Sequence, residues 1–441
     1  MSLRYFLYTC FIAFLAGNAQ ASEHWPSWRG PTGMGQTDEK NLPLTWGGKA
    51  QENILWKAPL FDSDKIDRDH NQSSPIVWGD RVFVTVSYWP EGSSRKDFSE
   101  HHLLCFSTKD GKKLWDTLIP PGPWKLGDLR GGYACSTPAT DGQHVYAVFG
   151  SAVISAVDFK GKIVWRKEIK PHNFDVAFAA SPIVFPPLPS VGEGPGVRGP
   201  STVILACDQQ NKSSTIYAFD GKTGDIRWET KRPAVNWAHS TPLLTKVGAK
   251  LQLITATHNG PQGLDPATGD VLWFYKDSKQ VGDTVTPIVR DGMLYMDSGR
   301  EGMGIAVDVT GSGDVSKTHL KWKAPKVAPA FSSPVLVGDQ LYRLSGGDFI
   351  TCRNWTTGEE VFKRERLEGV QTGASPIATA DGRIYCVSGG KSYVLKAGPK
   401  LEILAVNSLG DPGLASPAVA AGRLYIKGGR FLWCVGEKQK D

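Results

Sequence analysis

Apolar residues along this chain fall in short runs of three to eight, separated by polar turn residues, and the runs repeat in a fixed order. Eight times a Ser-Pro or Thr-Pro pair is followed by an apolar run; the prolines are Pro75, Pro138, Pro182, Pro242, Pro287, Pro334, Pro376 and Pro417. In the first unit Ile76-Val77-Trp78 leads to a Gly-Asp turn and a second run, Arg81 to Val84. Two apolar runs joined by such a turn predict a hairpin. A third run ends near Asp158, Asp220 or Asp265, and after a Gly turn a fourth carries Trp115, Trp165, Trp228 or Trp273. A proline has no amide to donate, so it is tolerated at the first position of a strand and not in its middle. The prolines lie 41 to 63 residues apart, the period of four-stranded propeller blades. The predicted fold class is therefore all-β: a single eight-bladed β-propeller with four antiparallel strands per blade and with the indoles filling the wedges between blades.

The last unit lacks a fourth strand, because the chain stops eight residues after Phe431-Leu432-Trp433. Asn53-Ile54-Leu55-Trp56-Lys57 has the fourth-strand pattern and precedes the first Ser-Pro. Pairing the N-terminal strand with the C-terminal blade would close the ring and remove its open edges. Two spacings are long. Residues 186–200 are mostly Pro, Gly and polar, a composition that predicts a disordered insertion in the first hairpin of blade 3. The first unit is lengthened by loops expected over 87–102 and 120–132.

Composition narrows the class. The chain has 441 residues, 40% apolar and 21% charged, with 49 Gly and 29 Pro, which suits short strands and excludes an all-helical protein. The net charge of +6 arises from 50 basic and 44 acidic residues with no basic stripe, so nucleic acid is not an expected partner. Arg4, the apolar run Tyr5 to Gly17, and Ala19-Gln20-Ala21 before Ser22 read as a signal peptide over 1–21. Cys10 lies inside that run without the small residues of a lipid-attachment site. The expected product is exported, periplasmic or extracellular, not lipid-anchored and monomeric, with no transmembrane segment. It would comprise an N-terminal extension over 22–52, the propeller over 53–437 and a tail over 438–441.

The run Ala218-Phe219-Asp220-Gly221-Lys222-Thr223-Gly224-Asp225-Ile226-Arg227-Trp228 resembles the A-x-D-x-x-T-G-x-x-x-W repeat of the PQQ-like β-propeller family. Asp265 to Trp273 repeats it closely, Asp158 to Trp165 is a shortened copy, and Asn354 to Phe362 is a decayed one. The opening Trp25-Pro26-Ser27-Trp28-Arg29-Gly30-Pro31 is similar to the start of many exported bacterial members. The resemblance covers nearly the whole mature chain. It implies the quinoprotein alcohol dehydrogenase-like fold, which serves both PQQ-dependent dehydrogenases and non-catalytic propellers such as the BamB lipoprotein, and fold does not decide between them. A dehydrogenase of this kind is implied to carry calcium, a catalytic Asp, an aromatic platform and commonly a vicinal cysteine pair. No two cysteines are adjacent here and there is no C-x-x-C-H.

The loops entering each first strand and those after each second strand share the mouth of the central channel. They offer His70, Asn71, Tyr133, His172, Trp237, His239 and Phe331, then His101, His102, His258, Asn259, Arg300, Glu301 and Asp348. Within this set Trp237, His239, His258, Asp283, Arg300 and Glu301 form the candidate ligand site, since they come from two neighbouring blades and could converge on a small anion or metal. The competing readings are loop-ordering hydrogen bonds for the histidines, a local ion pair for Arg300 with Glu301, and a packing role for Trp237. No ligand spacing of the H-x-x-x-H type supports a metal. Asp308, Thr310, Ser312 and Gly313 imitate the start of a calcium loop, but His319 stands where a bidentate Glu is needed. Cys105, Cys352 and Cys434 in third strands and Cys207 and Cys386 in second strands suit buried thiols; with Cys135 they could also form disulfides in an oxidising compartment.

The function expected from these residues is that of a non-catalytic binding or scaffold protein of the bacterial envelope, with no catalytic residue and no cofactor. An envelope protein, a polysaccharide or a small molecule would bind at the channel mouth. The alternatives are a PQQ-dependent alcohol or sugar dehydrogenase that uses calcium, and a purely architectural envelope protein.

Overall fold

The computed structural model describes residues 23–170, 173, 176, 179–185, 200–235, 238–277, 284–299, 302–370 and 372–438. The expected signal peptide and residues 186–199 of the expected insertion lie outside them. Eight antiparallel sheets follow one another in a ring, each with four principal strands, in sequence order in the first seven, and the described residues contain no helix long and apolar enough to cross a membrane. Blade 1 comprises Ile76–Trp78, Arg81–Trp89, Glu100–Ser107 and Lys113–Leu118. Blade 8 comprises Ala418–Ala420, Arg423–Lys427 and Phe431–Val435, completed by the N-terminal Ile54–Pro59. That closing strand runs antiparallel to the last one, with Trp56 opposite Cys434 and Lys57 opposite Trp433.

The Ser-Pro and Thr-Pro pairs form a belt. The backbone N–H of Ser74 donates to Thr137 Oγ1, Thr137 to Ser181 Oγ, and Ser181 to Thr241 Oγ1. Thr286 donates to Ser333, Ser333 to Ser375, Ser375 to Ser416, and Ser416 back to Ser74, all at 2.8–3.0 Å. A hydroxyl is needed because the accepting atom must come from a side chain short enough to span adjacent innermost strands. The following proline starts the strand without wasting an amide.

The tryptophans join blades farther out. Trp115 Nε1 donates to Phe159 O, Trp165 to Gly221 O, Trp228 to Pro266 O and Trp56 to Thr108 O, each in the third-to-fourth turn of the next blade. The turn glycine lies under the indole: a Cβ on Gly224 would sit 2.6 Å from Trp165, at a φ of +73 that disfavours side chains in any case. In these fourth strands the pairing shifts by one residue beside the Trp, a bulge that re-aims the indole out of its own sheet. Trp273 differs. It is fully buried, bonds Gln252 of its own blade, and is covered by Gly313–Asp314 from the long connection of blade 5, the segment that imitates a calcium loop.

Residues 23–47 enter the ring. His24–Trp25 pairs with the innermost strand of blade 1, Pro26 O accepts from Thr140 of blade 2, and Trp28 Nε1 reaches Thr286 of blade 5. Arg29 Nη2 donates to Pro334 O of blade 6 and to Met34 O. Gln36–Thr37 pairs in parallel with the innermost strand of blade 7, and Glu39 accepts from Gly422 of blade 8. The free edges of the innermost strands face the channel, so a segment bonded to them occupies it; the extension is an internal plug. Arg29 is buried there, with Nε and Nη1 lacking an acceptor, and burial pulls its pKa down to about 9. Trp46 joins the core between blades 7 and 8, where the fourth strand of blade 7 offers only Ala405.

Candidate binding site at the channel mouth

The loops entering the first strands and those following the second strands are tied together on one face. Asn71 Oδ1 accepts from Ser87 N at 2.6 Å and Ser73 Oγ donates to Thr85 O. With the channel plugged, a cavity of about 430 Å³ opens on this face at the junction of blades 8 and 1, lined by Arg68 to Asn71, Gly410 to Leu414, and Gly428 to Arg430.

Two buried carboxylates build its walls. Asp69 accepts His70 N at 2.8 Å, Ser87 Oγ at 2.6 Å and Tyr133 N at 2.5 Å. Asp411 accepts Arg430 N, Phe431 N and Trp433 Nε1, each at 3.0 Å. These oxygens are consumed in shaping loops. The cations are not. Arg430 is exposed and only 3.9 Å from Asp411 Oδ1, and among the described residues no acceptor engages the side chains of the exposed Arg68 and His70. Behind the glycines lies Lys427, 1% exposed. Its ammonium donates to Ser73 O, Ser73 Oγ and Thr85 O, and burial lowers its pKa to about 7 against the pull of Cys135 and Asp69.

A larger cavity of about 800 Å³ opens on the opposite face, lined by Pro26, Trp78, Asp141, His144 and Ser201 among others. In its floor Asp141 Oδ2 accepts from Tyr146 OH and Ser201 Oγ and Trp78 is covered by His24 stacked at 4.0 Å, while the buried Nδ1 of His144 makes no hydrogen bond among the described residues.

Of the candidate set, Trp237, Asp283, Arg300 and Glu301 lie outside the described residues, as does His172. His239 and His258 are half-buried in mouth loops of blade 4. His70 and Asn71 line the cavity, and Phe331 stands 69% exposed at the mouth. Two assignments are corrected. His101 and His102 are not loop residues, because the second and third strands of blade 1 run in register as far as Tyr88 opposite Glu100. His101 is buried between Ser99 and Ser151 and stacked on Phe149; burial drops its pKa to about 3. His102 bonds Asp116 and Glu100. Burial opposes its protonation, but the hydrogen bond and charge of Asp116, with those of Glu100, outweigh it and raise its pKa. The six cysteines among the described residues are free thiols, and burial pushes Cys135 up to about 12. Sequence reasoning missed Arg68, Arg430 and Lys427.

Residues 150–400, more than half of the chain, match the family described as outer membrane protein assembly factor BamB. No curated protein matches the sequence. Among solved structures, BamB from Moraxella catarrhalis is 16% identical with a TM-score of 0.55, over 87% of this chain and 99% of that one. A europium-containing methanol dehydrogenase is 12% identical, TM-score 0.48, over 91% and 89% of the two chains. The quinohemoprotein alcohol dehydrogenase from Comamonas testosteroni is 13% identical, TM-score 0.44, over 96% and 82%. The likeness to the Moraxella protein is one of fold, while the match over residues 150–400 shows the family: this eight-bladed chain belongs to the BamB family of PQQ-like propellers.

Proposed function

We propose that the protein is an exported propeller of the bacterial envelope that works by binding a partner at its channel-mouth face, without catalysis and without a quinone or metal. The observation that carries this reading is the plug. With Trp28 and Arg29 bonded to blades 5 and 6 inside the ring, a ligand must bind on an outer face, and we place it at the mouth. There the cavity between blades 8 and 1 would supply one contact region, and Trp237, His239 and His258 of blade 4 with Asp283, Arg300 and Glu301 of blade 5 a second. A family that includes an outer membrane assembly factor supports an envelope protein as the partner, with a polysaccharide or small molecule as the alternatives. Export is tested by the N-terminus of the periplasmic protein, expected at Ser22. Binding is tested by placing a photo-crosslinking residue at Phe331 or Leu414 on the mouth and, as control, at Ile403 on the outer edge of blade 7. Trapping from the mouth positions alone is expected. Dye reduction or a quinone absorbance on adding PQQ with calcium and an alcohol would instead establish the dehydrogenase reading.

A further inference from the structure

We infer that the cavity between blades 8 and 1 is a site for a compact oxyanion, a carboxylate or phosphate group held between Arg68 and Arg430. This rests on the mouth-face reading and names its ligand chemistry. Donors and acceptors in the cavity are unequally used. Asp69 and Asp411 each accept three hydrogen bonds from the chain itself, which leaves few of their lone pairs for a cationic ligand although their charge remains. Asn71 is equally spent: its amide donates to Asp69 O and Ser87 O, and its carbonyl accepts from Ser87 N. The side chains left with free hydrogen-bonding capacity are Arg68, Arg430 and His70, all of them donors when protonated and the first two always so. A cavity that offers unused N–H groups and spent carboxylates selects an acceptor-rich group. Planar guanidinium forks favour oxyanions above all.

The shape agrees with that chemistry. Gly410, Gly413, Gly428 and Gly429 contribute no side chain, so a ligand meets backbone on two sides. At about 430 Å³ the space lies at the lower end of small-ligand sites. Arg430 packs over Phe431 with its guanidinium 5.4 Å from the ring, which restrains it near the cavity. Arg68 leaves the short strand Asp67–Arg68 that is pinned to Tyr88 and Trp89. The two arginines belong to opposite sides of the junction that closes the ring, so the ligand would bridge first and last blades.

The experiment titrates the mature protein with succinate and with inorganic phosphate, each against neutral succinamide, at constant ionic strength set by chloride, and reads heat and melting temperature. We expect saturation by at least one dianion below about 10 mM, a raised melting temperature, and no response to succinamide. The R68A/R430A variant, altered only at exposed side chains, should melt as the unliganded wild type does and bind about tenfold or more weakly; Lys222→Ala on the opposite face should bind normally. The arm that saturates identifies carboxylate or phosphate as the group. Equal binding of succinamide, undiminished binding by R68A/R430A, or no saturation by either dianion overturns the inference. In those cases mouth-specific crosslinking at Phe331 or Leu414 would leave the binding reading standing, whereas its loss would remove both.

Discussion

Replacing Lys427 with Met should change stability in opposite directions on the two sides of neutrality. The ammonium is 1% exposed and held by three neutral oxygens, Ser73 O, Ser73 Oγ and Thr85 O, with Cys135 and Asp69 as the charged or titratable neighbours that raise its pKa against burial. Burial prevails and lowers the folded pKa to about 7 from the ordinary 10.5. Between these values the unfolded chain holds a proton that the folded one has released, so wild-type stability rises with pH. At 1.36 kcal/mol per pH unit, the rise from pH 7 to 9.5 is about 3 kcal/mol. Below pH 7 both states are protonated and the cost of the buried charge is fully present. The Met variant removes both the charge and the donor. It takes a donor from three oxygens, of which Ser73 Oγ still accepts from Thr85 Oγ1 and Thr85 O from Ser73 Oγ, at a cost of about 1–3 kcal/mol, and it loses the pH slope. Urea unfolding of both proteins at pH 6, 7, 8 and 9.5 gives the difference directly, and groups common to both cancel. We expect K427M to match or exceed wild type at pH 6 and to fall behind by about 3 kcal/mol more at pH 9.5. A difference that stays flat across the series would show that the lysine keeps its proton in the folded protein and would refute the reasoning.

Three further outcomes follow from the packing. Gly224→Ala places a Cβ 2.6 Å from Trp165 at a φ of +73, whereas Gly422→Ala has φ +72 with open space; Gly224→Ala should therefore cost about 1–3 kcal/mol more in urea unfolding, and equal losses would mean that the indole contact is slack. Arg343→Met leaves Asp297, 0% exposed and bonded bidentately to Arg343 at 2.6 and 2.8 Å, without its countercharge, and should cost about 3–5 kcal/mol; adding Asp297→Asn should restore part of it, and a strictly additive double variant would speak against the pair acting as a unit. His102→Gln should cost stability at pH 5.5 and little at high pH, because a group with a raised folded pKa stabilises below its unfolded value near 6.5 and loses that contribution as pH rises through the folded one; a loss that grows with pH would contradict the ion pairs with Asp116 and Glu100.

Much of the ring is legible because its joints are local words in the chain. The Ser/Thr-Pro pairs mark eight innermost strands, and the fourth-strand tryptophans with their turn glycines mark the outer contacts. Each encodes a bond to the next blade through one residue type at one place. The course of residues 23–47 is not written that way. Trp25, Trp28 and Arg29 in a short extension are a dense apolar signal for something that packs, but their partners, Val77, Thr286 and Pro334, are set by the channel, which exists only after the ring has formed. His101 and His102 misled for a related reason. Polar residues normally mark a loop, yet here a long ladder carries them into the third strand, where one is stacked on Phe149 and the other is ion-paired.

The cavity residues show the same limit more sharply and give it a functional meaning. Arg68 and Arg430 stand at opposite ends of the mature chain, and ring closure alone brings them together. That junction is the one place where the belt must connect its last member to its first, through Ser416 N to Ser74 Oγ at 3.0 Å, and where Lys427 of blade 8 bonds Ser73 and Thr85 of blade 1. The chain itself joins the two blades through residues 60–75, but the strand from which that segment leaves, Ile54–Pro59, is held to Phe431–Val435 by hydrogen bonds and packing alone. A ligand gripped by one side chain from each of these two blades binds only the closed ring, and by mass action it stabilises that ring by RT ln(1 + [L]/Kd). An eight-bladed fold that fills its own channel forgoes the axial site where all blades could converge. It keeps the seam, where occupancy and ring closure are thermodynamically linked.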